Sequence, residues 1–251
     1  MILSKKYSVA IVDLFCDESQ IAIEADVVRY NYFSSETAGF RIAPYHTIWI
    51  DLTRSADGLL AAIDRDTRKE IRRAERDKCL TEFFGAPTPE LVNEFCEAYN
   101  LSVAVKGLPL LSPANLAHLA KSGSLLLSRV RQENSPVLAW HAYSHANRRC
   151  ILSYSVSAHR AAKSVNGQAS GRGNRYLHWQ DFLYFQNQGF EVMDMGGWHS
   201  GSEDSELLSV NRFKEEFGGK VVDSYNSLHP LTMKGRGALK LLGIKRRLKS
   251  S

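Results

Sequence analysis

The stretch Gln168-Ala169-Ser170-Gly171-Arg172-Gly173-Asn174 decides how this chain is read. It follows a strand-like run, Cys150-Ile151-Leu152-Ser153-Tyr154-Ser155-Val156-Ser157, and precedes a helical one. Two glycines one residue apart leave room for main-chain N–H groups to converge on an anion, and a helix N-terminus behind them adds its dipole. The segment has the make-up of a loop whose amides wrap a pyrophosphate. A glycine-rich turn that only joins strand to helix is the plainer alternative, so the order of the neighbouring elements has to decide.

Upstream, Leu125 to Val130, Val137 to Ser144 and Cys150 to Ser157 read as three consecutive strands. Glu133-Asn134-Ser135-Pro136 and His145-Ala146-Asn147-Arg148 are polar hairpin connections between them. Downstream, Tyr176, Trp179, Phe182 and Leu183 give a helix with a wide apolar face, stopped by Gly189. Phe190 to Met195 is a strand closed by Gly196-Gly197, Leu207 to Phe217 is amphipathic, and Val221-Val222 begins a further strand. From Leu125 the order is β-β-β-loop-α-β-α-β.

Before Leu125, Val9 to Val12 and His46 to Leu52 are strand-like, and Ser55 is an N-cap for a helix from about Ala56. The stripe Leu59, Leu60, Ile63, Ile71 and Ala74 is helical, with a break at Asp64 to Thr67 as an alternative. Helices are also expected over Pro87 to Tyr99 and from Ser112-Pro113 to Gly123.

Composition bounds the function. At 251 residues, 44% hydrophobic and 24% charged, the chain is long enough for an ample core and ordinary for a globular protein. The four cysteines, Cys16, Cys79, Cys96 and Cys150, lie far apart without metal-ligand spacing and read as reduced thiols. No run approaches the roughly 20 apolar residues of a membrane span, and the N-terminus lacks a signal-peptide pattern. A cytoplasmic location is therefore expected.

The net charge of +5 is concentrated at the end: seven basic and no acidic residues follow from Lys234 onward, leaving 25 basic against 27 acidic residues elsewhere. That asymmetry argues against general nucleic-acid binding. The tail over Leu239 to Leu248 is basic and amphipathic, with the make-up for weak contact with an anionic membrane surface; a solvated tail is the other reading.

The spacing Gln168-x-x-Gly171-x-Gly173, in this order of elements, resembles acyl-CoA-dependent N-acyltransferases of the GNAT superfamily. Three further segments resemble the FemAB-like branch. Asp66 to Glu75 looks like its basic "TR-x-x-IRRA" helix. Tyr176 to Gly189, followed by Asp194-Met195-Gly196-Gly197, is similar to its helix and "YDLGG" strand, and Arg212 to Gly219 to its "FK-x-x-FGG" close. The resemblance runs from about His46 to Val222. It implies an α/β GNAT fold: a mixed, mostly antiparallel sheet with splayed central strands. A truncated GNAT-like half over residues 1–100 would precede the acyltransferase core and basic tail of residues 101–251. The first half is shorter than in full FemAB enzymes, and the fuller glycine signature points to an acyl-CoA donor.

The resemblance implies an acyl-CoA-dependent N-acyltransferase acting on the amino group of a nucleotide-linked amino sugar for surface polysaccharide. Aminoacyl-tRNA-dependent transfer to peptidoglycan precursors and a catalytically silent GNAT-like binding module are the alternatives. A homo-oligomer is compatible with either enzyme. Gln168, Ala169, Ser170, Gly171, Arg172, Gly173 and Asn174 would hold the donor's phosphates. The strand end at Ser155, Val156 and Ser157 would pair with pantetheine and hold the oxyanion. His141, mid-strand on one face with Ala139 and Tyr143, is the first candidate base and Asp194 the second. Each also has a structural reading, as a hydrogen-bonded core histidine or a turn acceptor. Trp198, His199 and Glu203 fall at the expected acceptor mouth, with Asn211 and Lys214 positioned for an anionic acceptor. The last helix, Leu207 to Phe217, has no tyrosine to protonate a leaving thiolate; Tyr225 is the nearest. There is no zinc-ligand pattern, P-loop or nucleophile elbow, so no metal is expected.

Overall fold

The structure, a computed structural model, describes residues 2–6, 9–15, 24–35, 41–104, 109–158 and 166–247. By its internal contacts the chain divides into two compact units. One is Met1–His46 with Val222–Ser251; the other is Thr47–Val221.

In the first unit, strands β1 (Ile2–Lys6) and β2 (Val9–Phe15) form an antiparallel pair, and β2 runs parallel to β3 (Val27–Phe33). Val12, Leu14, Val28 and Phe33 make its small core. Valine, isoleucine and tyrosine dominate these strands, as a half-buried pleat favours. The basic segment from Lys234 lies in a helix, Met233–Arg247, and the residues beyond it fall outside the described part.

The second unit carries the α/β architecture anticipated from the sequence. Strand β4 (Arg41–Asp51) leads into helix α1 (Ala56–Ala62), whose N-cap Ser55 accepts from the Gly58 N–H at 3.1 Å. The break near Asp64 is real. Asp64 caps a separate helix α2 (Arg65–Arg76) by accepting from the Asp66 N–H. Strand β5 (Cys79–Phe84), helix α3 (Pro89–Ala104) and helix α4 (Pro113–Lys121) follow, then strands β6 (Leu125–Gln132), β7 (Val137–Ala146) and β8 (Arg149–Ser157). Asn147 and Arg148, at φ 47° and 59°, form the tight β7–β8 turn with the twist that a two-residue hairpin requires. Helix α5 (Gly167–Asn187), strand β9 (Val192–Gly197), helix α6 (Ser205–Glu215) and strand β10 (Lys220–Pro230), which passes into the first unit, complete the order.

The sheet of this unit runs β4-β9-β8-β7-β6-β5, antiparallel throughout except for the parallel pair β8–β9. Strand alternation sorts the core into two layers. Leu125, Leu127, Trp140, Ala142 and Val156 pack with Phe95 of α3 and Leu116 of α4. Leu126 and Tyr143 turn the other way, onto Trp179, Phe182 and Phe185 of α5. Gly218, at φ +76°, ends α6 where an added Cβ would lie 2.4 Å from the Ala62 carbonyl oxygen. The paired glycines after Phe217 thus reflect a close backbone approach.

Candidate active site

The glycine motif is placed differently from expectation. Gln168 to Asn174 is not an open loop but the first two turns of α5. Asn166 caps that helix, its side chain accepting from the N–H groups of Gln168 (2.8 Å) and Ala169 (3.3 Å). The amides beyond them are engaged within the helix, as the Ser170 N–H to Asn166 carbonyl bond shows. The two glycines each oppose helix formation; the Asn166 cap and the buried inner face of α5 offset this.

The face turned inward is buried. Ser170 donates to the Leu138 carbonyl at 2.8 Å. A Cβ on Gly173 would meet Leu138 at 3.0 Å, so this glycine lets α5 lie close on β7. Asn174 points into the core. Arg172 pairs with Asp77 at 3.3 Å and Arg175 with Glu216 at 2.9 Å. Beside this end of α5 lies an open cavity of about 880 Å³ lined by Gln168, Gly171, Arg172, Arg175 and Arg212, with Asp64, Glu70 and Glu215 opposite. Its lining mixes basic and acidic side chains.

Strands β8 and β9 splay, as anticipated. They pair only at Arg149↔Val192, Cys150↔Met193 and Ile151↔Asp194. Beyond these, β8 continues through Leu152 to Ser157 along β7 alone, with Ser155 facing His141 and Val156 facing Trp140 in the register. Gly196, at φ +74°, sits at the fork, where a Cβ would come 2.9 Å from the Leu152 carbonyl oxygen.

The two expected bases are both withdrawn from the fork. Asp194 is fully buried and ion-paired with Arg149, whose guanidinium lies 4.3 Å over the Trp49 ring. It also accepts from Thr47 Oγ1, from Trp49 Nε1 at 3.2 Å and from the Gly196 N–H at 2.8 Å. Both oxygens of this carboxylate are thus engaged within the core. His141 is fully buried too, on the face shared with Ala139 and Tyr143. Its Nδ1 lies 2.7 Å from Asp181 Oδ2 and its Nε2 2.9 Å from Asn174 Oδ1, so both ring nitrogens are occupied. Tyr143 donates to Asp181 at 2.6 Å. Burial raises the Tyr143 phenol pKa, with the Asp181 charge adding to it; burial likewise drives His178, next to His141, well below its ordinary value.

The acceptor-side residues are largely brought together. Asn211, buried on α6, clamps the backbone of His199, accepting from its N–H at 2.9 Å and donating to its carbonyl at 2.7 Å. Trp198 Nε1 donates to Glu215 at 2.7 Å. Lys214 Nζ lies 2.5 Å from the Gly197 carbonyl oxygen, at the end of β9. Burial pulls its pKa from 10.5 down to about 8, the nearby Asp194 charge opposing the shift. Glu203 is exposed in the turn before α6. Tyr225 falls in the other compact unit.

Sequence reasoning missed Arg149, Thr47 and Trp49 as partners of Asp194, and Asp181 as the partner of His141. Only Asp181 carried a signal: a carboxylate on the apolar face of α5 needs a buried partner.

A mixed sheet that forks at one parallel pair, β8–β9, with α5 as the connection between the two strands, has a GNAT-like fold. No family model and no curated protein matches the chain. Among solved structures the chain is similar to FemX, with a TM-score of 0.62 at 13% identity over 78% of this chain and 63% of that one. It is also similar to L-PGS from Bacillus licheniformis, with a TM-score of 0.55 at 14% identity over 82% of this chain and 68% of that one. The likeness is one of fold, and the chain spans less than two thirds of the FemX structure. Among the described residues no helix is long and apolar enough to cross a membrane.

Proposed function

We propose that this protein transfers an acyl group from acyl-CoA to an amine, with the reaction centred at the fork between β8 and β9. The observation that carries this reading is the unpaired edge of β8 from Leu152 onward, beside a lysine whose pKa has fallen to about 8. An extended pantetheine arm can add to such an edge as a strand would. N–H groups along Ser155 to Ser157 would then face the thioester oxygen.

The chemistry follows from Lys214 rather than from His141 or Asp194. The acceptor amine attacks the thioester carbonyl, and the new N–C bond leaves a tetrahedral oxyanion and a cationic nitrogen. Neutral Lys214 takes the nitrogen's proton; the C–S bond breaks, and the thiolate recovers a proton from the lysine ammonium. One group thereby serves both transfers, which removes the need for a tyrosine on α6.

For the donor's phosphates, the self-capped α5 requires a revised arrangement. Its free N-terminal amide at Gly167 and the amides released when the Asn166 side chain swings aside would receive the pyrophosphate, with Arg172 and Arg175 exchanging carboxylates for phosphates. The acceptor in this reading is a nucleotide-linked amino sugar in the cytoplasm. Its diphosphate would lie near Lys214 and the loop of Trp198, His199 and Glu203 that Asn211 fixes. The segment before about residue 100, with β4, α1, α2 and β5, is read as the remnant of a first GNAT-like half.

A second reading has its own support. Lys69, Arg72 and Arg76 line, with Glu75, an open cavity of about 550 Å³ on α2, a net basic face suited to a polyanion such as aminoacyl-tRNA. The deciding experiment offers acyl-CoAs of several chain lengths with UDP- and dTDP-linked amino sugars, reading free thiol and the acceptor's mass. Thiol release matched by an acylated sugar is the expected result. No thiol release with any pair, together with no acyl-CoA binding by calorimetry, overturns it. Ribonuclease-sensitive transfer from aminoacyl-tRNA would establish the second reading instead.

A further inference from the structure

We propose that His141, His178 and Asp181 form a buried structural site for one divalent first-row transition ion, with zinc the expected occupant, tying β7 to α5. Among the described residues these three are the one group whose imidazole and carboxylate atoms converge, all lying within 4.8 Å of one another and all buried. His178 and Asp181 are three residues apart on α5 and so share a helix face, while His141 projects from β7 towards them. The two imidazole rings are 4.2 Å apart between centroids.

The second observation is the pattern of unused atoms. His178 Nδ1 and Asp181 Oδ1 are buried without a hydrogen-bond partner, as is Ser128 Oγ, whose residue sits opposite His141 in the β6–β7 register. Native cores rarely leave such groups unmet, and two of these belong to the converging group. The atoms that are used fit the outer shell of a metal site. His141 Nε2 faces Asn174 Oδ1 at 2.9 Å, and its Nδ1, on the inner side, now meets Asp181 Oδ2 at 2.7 Å, a contact an ion would replace. Tyr143 donates to Asp181 Oδ2 at 2.6 Å, leaving Oδ1 on the inner side. A ligating histidine characteristically donates its other ring N–H to an oxygen, and a ligating carboxylate is itself hydrogen-bonded.

Zinc takes nitrogen at about 2.0–2.1 Å and carboxylate oxygen at about 2.0–2.2 Å, so tetrahedral neighbours lie about 3.3 Å apart. The candidate ligand atoms lie within 4.8 Å of one another, so side-chain rotations that give up the 2.7 Å contact of His141 Nδ1 with Asp181 Oδ2 would seat the ion. The donor set of two imidazoles and one carboxylate suits zinc, with a water in the fourth position. Because none of the three is accessible, the site is structural, and the ion enters as the core closes.

The test is elemental analysis of the whole protein, produced in zinc-supplemented medium and freed of loose metal by gel filtration. One zinc ion per chain is the expected content. Protein unfolded in chelator and refolded with cobalt(II) should show the visible d–d bands of a tetrahedral site. Refolding with zinc should raise the thermal midpoint above that of protein refolded in chelator. His178→Gln and Asp181→Asn should each lose the metal. Because those variants test folding as well as binding, the wild-type cobalt spectrum stands as an independent readout. No metal in the purified protein, with no cobalt bands and no thermal shift on refolding, overturns the proposal; so does wild-type metal content in a folded His178→Gln variant.

Discussion

Lys214 holds its ammonium nitrogen 2.5 Å from the carbonyl oxygen of Gly197, the last residue of the strand on the far side of the fork. The contact fixes the lysine where an amine acceptor would enter. Burial lowers its pKa to about 8 against an ordinary 10.5. As the base, it must be neutral, so turnover should climb with pH through a midpoint near 8 and level off above it. The linkage to stability has a definite sign. Between about 8 and 10.5 the unfolded chain binds the proton and the folded chain does not, so stability rises with pH across that window. Lys214→Met should therefore abolish transfer yet be more stable than the parent below pH 8, with the gain vanishing by about 10.5. Denaturant titrations at several pH values check the second part; a constant difference across pH would contradict it.

Gly171 and Gly173 separate the two readings of the motif. Gly171 sits in a helical turn with only Arg175, at 4.0 Å, near an added Cβ, whereas Gly173 is pressed against Leu138 at 3.0 Å. Gly171→Ala should therefore stabilise the protein by about 0.5–1 kcal/mol through helix propensity. Gly173→Val should destabilise it by about 1–3 kcal/mol through overpacking. If Gly171 instead shaped an anion loop, the alanine variant would lose stability or acyl-CoA affinity. Thermal unfolding with and without acyl-CoA distinguishes these outcomes.

Asp194 and Arg149 are expected to behave as a structural pair. Removing one partner strands a charge in the core, at a cost of about 3–5 kcal/mol. Asp194→Ala should be destabilised by that order in urea unfolding, and the double variant with Arg149→Met should recover part of the loss. Were Asp194 the base, Asp194→Asn would cut turnover while leaving stability nearly untouched.

The architecture was legible because its signals are local. Apolar alternation over Leu125 to Ser157, the Ser55 cap and the stops at Gly123 and Gly189 each act within a few residues. Strand β5 escaped because Leu80, Thr81 and Glu82 lack a clean apolar alternation; the register against β6 and the ion pairs of Glu82 with Arg129 and Arg131 hold it. The candidate site was legible only in part. Asn211 and Lys214 share α6, so helical spacing brings them to one face of that helix. Asp194 and His141 lie buried, and the glycine motif lies in a helix, because a polar residue in an apolar setting indicates a buried partner as readily as a substrate. Arg149 is 45 residues from Asp194, and Asp181 is 40 from His141, separations that no local pattern spans.

Asn211 supplies a final prediction, because its contacts are with backbone alone. Its side chain meets both the N–H and the carbonyl of His199, at 2.9 and 2.7 Å, and so shapes the loop carrying Trp198 and Glu203. It touches neither Lys214's contact with Gly197 nor the unpaired edge of β8. Asn211→Ala should therefore free the loop without altering the base or the donor strand. Two partly buried hydrogen bonds are lost together with the side chain, for a stability cost of about 1–3 kcal/mol. In steady-state kinetics the acceptor KM should rise several-fold while the acyl-CoA KM and the pH midpoint near 8 stay in place. A fall in kcat with an unchanged acceptor KM would instead give Asn211 a role at the reacting atoms, against the geometry of its two backbone bonds.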